Sequence, residues 1–135
     1  MIKGFIAGAF DVIHPGYIIM FEQAKQHCDV LHVGLHVDPS IERPEKLKPV
    51  LEYYDRFRVL KSIEYVDYIH PYTTEAQLVD TLQAIRPDIR FLGDDYAGKT
   101  ITGEELNIPI HYLDRSHGWS TTKFKQMIFN QMNSI

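Results

Sequence analysis

Near its start the chain carries Gly8-Ala9-Phe10-Asp11, followed closely by His14-Pro15-Gly16-Tyr17. Small residues let a ligand approach the backbone closely. Pro15 suits the first position of a helix. A helix N-terminus presents unpaired N–H groups and partial positive charge, which favour phosphate. His14 adds a donor that can become cationic. Taken alone, His14 reads equally well as a capping or core histidine.

A second word lies near the other end: Asp114-Arg115-Ser116-His117-Gly118-Trp119-Ser120-Thr121-Thr122. Ser120 and its neighbours are good N-caps, so another helix start should form a second anion-binding corner. Arg115 is always charged and can fork onto phosphate or a carbonyl. Between the two words stand Leu92-Gly93-Asp94-Asp95-Tyr96-Ala97-Gly98-Lys99 and the loop lysines Lys46 and Lys48, ahead of Arg56. A mobile loop that closes lysines over a triphosphate would exclude water and supply charge. The same lysines read alone are an ordinary solvated loop.

The elements that must position these words alternate. Strands are predicted from Ile2 towards Phe10, over Asp29–Val37, over Val66–His70 (stopped by Pro71), over Ile89–Gly93 and over Ile108–Tyr112. Helical spacing of apolar residues covers 16–27, 52–64 and 74–85, and a last helix begins at Ser120, with Phe124, Met127, Ile128 and Met132 as its buried face. Pro39, Pro44 and Pro49 make 38–51 a loop. This alternation predicts an α/β, Rossmann-like three-layer sandwich around a parallel sheet of about five strands. Ligands of such sheets sit beyond the carboxyl ends of the strands, here after residues 8, 37, 92 and 112.

These words, in this order over essentially the whole chain, resemble the cytidylyltransferase family of the nucleotidyltransferase superfamily, most of all its glycerol-3-phosphate cytidylyltransferases. That family carries G-x-F-D, H-x-G-H, M-G-D-D-W-x-G-K and R-T-E-G-I-S-T-T. The resemblance implies transfer of a cytidylyl group from CTP to a small phosphorylated alcohol such as glycerol 3-phosphate, with Mg²⁺ assisting and pyrophosphate leaving. It implies catalytic roles for His14, Lys48 and Arg115. It implies nucleotide binding by Gly8, Ala9, Phe10, Asp11, Tyr17, Lys46, Arg56, Gly93, Asp94, Asp95, Ser120 and Thr121, with Asp11 also a candidate metal ligand. It further implies a homodimer.

Three positions depart from the pattern. Tyr17 replaces the family's second histidine, Trp119 a smaller aliphatic and His117 an acid. A tyrosine hydroxyl can donate a hydrogen bond but cannot become cationic. If the lost bond acts in the transition state, about 3–4 kcal/mol is at stake, or roughly a hundred- to a thousandfold in rate. Two alternatives therefore stay open. Adenylyltransferases of sugar phosphates share the early word and an S-T-T near the end, although Arg115 ahead of the serine favours cytidine. A catalytically degenerate nucleotide-binding protein would also accommodate Tyr17.

Size and composition bound the rest. The 135 residues, 15.7 kDa, suit one domain spanning 1–135. Hydrophobic residues make up 44% and charged residues 24%, which excludes a disordered chain. No apolar run nears the roughly 18 residues of a membrane span, so no membrane insertion is expected. The lone Cys28 excludes an internal disulfide and points to a reducing, cytoplasmic setting. Residues 1–67 carry 8 basic and 10 acidic side chains, and residues 68–135 carry 6 and 8. Neither half is basic, so nucleic acid is not an expected partner. The remaining histidines lack zinc spacing and read as structural, although His36 lies near a strand's carboxyl end, within reach of a ligand.

Overall fold

The computed structural model describes residues 1–134. Five strands, β1 (Lys3–Gly8), β2 (Val30–His36), β3 (Tyr68–Tyr72), β4 (Ile89–Gly93) and β5 (Ile110–Leu113), form one parallel sheet in the order β3-β2-β1-β4-β5. The helices are α1 (Pro15–Lys25), α2 (Pro39–Glu42), α3 (Tyr53–Lys61), α4 (Glu75–Ile85) and α5 (Thr121–Met132). Phe21 and Ala24 of α1 and Leu60 of α3 pack against Ile6, Val33, Leu35 and Phe91 on one face of the sheet. Leu78 and Leu82 of α4 pack against Phe5 and Tyr72 on the other. Each fully buried leucine or phenylalanine contributes about 1.5–3 kcal/mol. The result is the three-layer Rossmann-like sandwich that the alternating pattern predicts.

Local chemistry sets the helix ends. Thr74 and Gln77 form a reciprocal capping box at the start of α4. Ser120 caps α5 by accepting from the Lys123 N–H at 3.1 Å. The predicted loop contains one short helix, α2, capped by Asp38 and begun by Pro39.

Two expectations are corrected. Pro71 does not stop the third strand, which runs from Tyr68 to Tyr72 and includes it. β3 is an edge strand, where a residue without an N–H is tolerated. The expected apolar face of the last helix is not buried either. Met127, Ile128 and Met132 are 55%, 42% and 64% exposed, because only the first turns of α5 reach the body of the protein. Phe124 does reach it, packing edge-on to Trp119.

The feature that matters for ligands is a parting of strands. β1 pairs with β2 along its whole length, from Lys3↔Val30 to Gly8↔Leu35. Its pairing with β4 ends at Phe5↔Arg90. Beyond that point β1 and β4 diverge, at the place where the strand order reverses. Sheets of this class bind ligands there.

Candidate functional site

A cavity of about 540 Å³ opens where β1 and β4 part. Gly8 and Gly93 flank it at the two strand ends. At Gly93 an added Cβ would come within 2.7 Å of the Arg115 side chain, so only glycine lets that arginine lie against the strand end. Phe10 takes a positive φ of 46° and turns the chain out of β1. Such a conformation costs a non-glycine residue on the order of 1–3 kcal/mol. It is held because the Phe10 ring is buried between Tyr17 and Phe21. Gly8, Ala9 and Phe10 thus shape the turn, with the Phe10 side chain in the core.

His14 caps α1. Its Nδ1 accepts from the Gly16 N–H at 3.1 Å, which leaves the ring proton on Nε2. Nε2 points to Thr121 Oγ1, 3.4 Å away at the start of α5. The two helix N-termini predicted from the two words therefore meet. Burial, then the charges of His117 and Arg115, hold the His14 pKa below its ordinary value, so it acts as a neutral donor. The ring is fixed between Tyr17, stacked at 4.2 Å, and Trp119, stacked at 5.8 Å. His117 Nδ1 accepts from the Trp119 N–H, and its Nε2 is buried with no partner among the described residues.

Tyr17 shares a hydrogen bond of 2.6 Å with Thr121 Oγ1 and packs edge-on to Phe10. It ties α1 to α5 directly beside His14. Tyr17→Phe is expected to cost about 0.5–1.5 kcal/mol of stability through that bond. It should also slow turnover several-fold by freeing Thr121. Urea unfolding together with steady-state rates checks both, and unchanged values for both would deny Tyr17 this role.

Asp11 is held by the backbone and by α5. It is 5% exposed, and its two oxygens accept from the Val50 and Leu51 N–H groups at 2.8 and 2.9 Å. Lys125 Nζ lies 3.1 Å from Oδ2. The carboxylate is thus committed to pinning the loop ahead of α3, and no group of three potential metal ligands occurs among the described residues. These side chains do not form a protein-built Mg²⁺ site, since Asp11 is held by three partners and no other carboxylate or histidine among the described residues joins it in a group of three. Burial pushes the Asp11 pKa up, but the Leu51 and Val50 N–H groups and Lys125 outweigh it and hold the carboxyl below its ordinary 3.8. A carboxyl with a depressed folded-state pKa adds stability above its unfolded pKa, and that stability is lost as pH falls through the folded value. Between about pH 5 and pH 2 the wild type should therefore lose stability more steeply than Asp11→Asn. Urea midpoints measured against pH test this, and parallel curves would overturn it.

Arg56 is likewise engaged within the fold. It is 1% exposed, and its guanidinium donates to the carbonyls of Ala9, His36, Val37 and Leu51. It fastens the ends of β1 and β2 to α3 and has little left to offer a nucleotide.

The other predicted residues divide. Lys46, Arg115 and Thr121 line the cavity. Arg115 also donates to the Trp119 carbonyl at 3.3 Å and lies 3.5 Å from Asp95. Asp94 and Asp95 are exposed at the rim, Lys48 is exposed on its loop, and Ser120 serves as the cap of α5. His36 lines the cavity and is bonded to the Thr73 carbonyl at 3.0 Å. Sequence reasoning missed Arg43, Tyr72, Glu75, Arg90 and Lys125, which also line it. Only Lys125 left a signal, because it stands one helical turn after Thr121 and so shares its face.

Comparison with known proteins bears on the fold and the family. The bifunctional protein HldE of Helicobacter pylori (strain HPAG1) is 34% identical over 92% of this chain and 27% of its own length. That of Acidiphilium cryptum (strain JF-5) is 41% identical over 74% of this chain and 21% of its own. The chain spans about a quarter of the length of these curated relatives. They lend no support to the particular likeness to glycerol-3-phosphate cytidylyltransferase. Among solved structures, the lipopolysaccharide core biosynthesis protein of Thermoplasma volcanium GSS1 superposes with a TM-score of 0.67, covering 84% of this chain and 95% of that one at 24% identity. The pantothenate synthetase of Thermus thermophilus does so at 0.59, over 84% of this chain and 55% of its own, at 14% identity. Both share the fold. The Cytidylyltransferase-like family model matches residues 5–127. With parted strands, two converging helix starts and this match along nearly its whole length, the chain belongs to the Cytidylyltransferase-like family.

Proposed function

We propose that this domain transfers an adenylyl group from ATP to a sugar phosphate and releases pyrophosphate. The observation that carries nucleotidyl transfer is the meeting of the α1 and α5 N-termini at His14 and Thr121 beside the cavity between β1 and β4. Similarity to the HldE proteins favours adenylyl transfer to a sugar phosphate over cytidylyl transfer to a phospho-alcohol. Cytidylyl transfer remains the second reading, favoured by Arg115 ahead of Ser120.

The reaction needs no covalent enzyme intermediate. An oxygen of the acceptor phosphate attacks the α-phosphorus, the bond to the bridging oxygen breaks, and pyrophosphate leaves with that electron pair. Catalysis is then positioning and charge neutralisation. His14 Nε2–H donates to a phosphate oxygen. Arg115 and Lys46 line the cavity and supply cationic charge. Thr121, held by Tyr17, adds a hydroxyl to the same corner. A divalent cation would arrive with the triphosphate, since Asp11 is committed elsewhere.

The test incubates the protein with ATP or CTP, Mg²⁺, and either an aldose 1-phosphate or glycerol 3-phosphate, and measures pyrophosphate release. Release with ATP and a sugar phosphate is expected. Release with CTP and glycerol 3-phosphate alone would favour the second reading. Binding of nucleotide without release in any combination would identify a degenerate member.

A further inference from the structure

The cavity has a second wall, away from the phosphate corner. Arg90 stands on β4 at the last paired position before the strands part. It is 5% exposed, lines the cavity, and its guanidinium makes one hydrogen bond among the described residues, to the Thr102 carbonyl. A guanidinium carries five N–H donors, so most of them are unused. Tyr72, at the end of β3, is 6% exposed and lines the same cavity. Its ring is stacked on His36 at 4.5 Å, and its hydroxyl has no hydrogen-bond partner among the described residues. Two largely buried side chains thus turn their unpaired donors onto one cavity, where a ligand can meet them.

The charge balance says what kind of group that is. Arg90 already lies in the negative field of Glu75 and Glu105. Glu75 Oε1 in turn pairs with Arg43 at 3.2 Å. Burial raises the Tyr72 pKa, so its hydroxyl stays protonated. The wall therefore offers a guanidinium fork and a neutral hydroxyl, together with a carboxylate acceptor at its edge. Glu75 opposes an anion at that edge, and a quaternary ammonium finds the Arg90 cation in its way. Adjacent neutral hydroxyls match it, because each can accept from the guanidinium or Tyr72 and donate to Glu75.

The geometry points to a polyol subsite: Tyr72, Arg90 and Glu75 read the hydroxyl groups of the phosphorylated acceptor, while its phosphate lies towards His14. The inference rests on the proposed transfer to a sugar phosphate and names the residues that select it. None of the three belongs to the sequence words that carry the family resemblance.

Equilibrium binding by calorimetry tests it, with glucose 1-phosphate, mannose 1-phosphate, glycerol 3-phosphate, phosphocholine and inorganic phosphate as probes, and ATP as a separate titration. The wild type should bind at least one polyol phosphate more tightly than inorganic phosphate or phosphocholine. Tyr72→Phe keeps the ring on His36 and should weaken that polyol phosphate by about 3–10-fold. Arg90→Lys keeps the charge, loses the fork, and should weaken it about tenfold or more. Neither variant should change ATP or inorganic phosphate binding, and circular dichroism checks that each is folded. If Arg90→Lys fails to fold, Tyr72→Phe decides. Equal polyol binding by folded variants and wild type would overturn the inference. So would tighter binding of phosphocholine, an equal loss of ATP binding, or no polyol phosphate bound by the wild type. Failure to bind ATP would instead sink the proposed function, whatever the polyol titrations show.

Discussion

Replacing His14 by asparagine is expected to slow nucleotidyl transfer by about a hundred- to a thousandfold while leaving the protein folded. His14 does two separable things. Its Nδ1 accepts the Gly16 N–H and caps α1, and its Nε2–H is aimed at the corner where Thr121 begins α5. Asparagine is a strong N-cap, so the first task survives. The shorter amide cannot carry a donor to where Nε2 stands, so the second is lost. A donor that acts on charge developing in a buried site is worth about 3–4 kcal/mol in the transition state, which sets the size of the effect. With Tyr17 in place of a second histidine, no neighbouring imidazole on α1 can take over. The measurement is kcat beside the urea midpoint of the same preparation. A rate loss under tenfold at unchanged stability would remove His14 from the chemistry.

Arg56→Met is expected to act the opposite way, costing about 3–5 kcal/mol of stability before it costs any chemistry. Four carbonyls, from Ala9, His36, Val37 and Leu51, receive the Arg56 guanidinium in a region closed to water. Methionine fills most of the volume and offers no donor. Each buried acceptor left unmatched costs about 1–3 kcal/mol, partly relieved as the loops relax and admit water. The shift in urea midpoint measures it. Normal stability with impaired ATP binding would restore the nucleotide-contacting role that the resemblance implies for this residue.

Much of this architecture is legible in the sequence because period and punctuation are local properties. Helix spacing, capping residues and the words at strand ends locate the elements and the first and last helix starts to within a few residues. Contacts that depend on register are not local. Nothing in the string Ile89-Arg90-Phe91 says that Arg90 faces a cavity, because that follows from where the neighbouring strands part beyond its pairing with Phe5. Arg56 looks like a nucleotide contact, and its sequence gives no sign of the four carbonyls that converge on it. Asp11 looks like a metal ligand until a loop some forty residues away supplies two N–H groups. Pro71 looks like a terminator because the edge position of its strand is a property of the whole sheet. The apolar residues of α5 show the limit of periodicity, which marks a stripe but does not say whether the body of the protein extends far enough to cover it.

The central position of β1 also governs when the site can exist. β1, the earliest strand of the sheet, is flanked by β2, which follows at residue 30, and by β4, which does not begin until residue 89. During translation one long edge of β1 therefore stays open while more than half of the chain is made. Docking of β4 both covers that edge and creates the fork between the strands. Until then neither Arg90 nor Gly93 has a place to stand, and α5 has no cavity mouth to close. Binding competence is thus coupled to the most non-local step of folding. A parallel sheet built outward from its first strand reaches that step slowly, because distant segments must meet before their contacts repay the lost chain entropy.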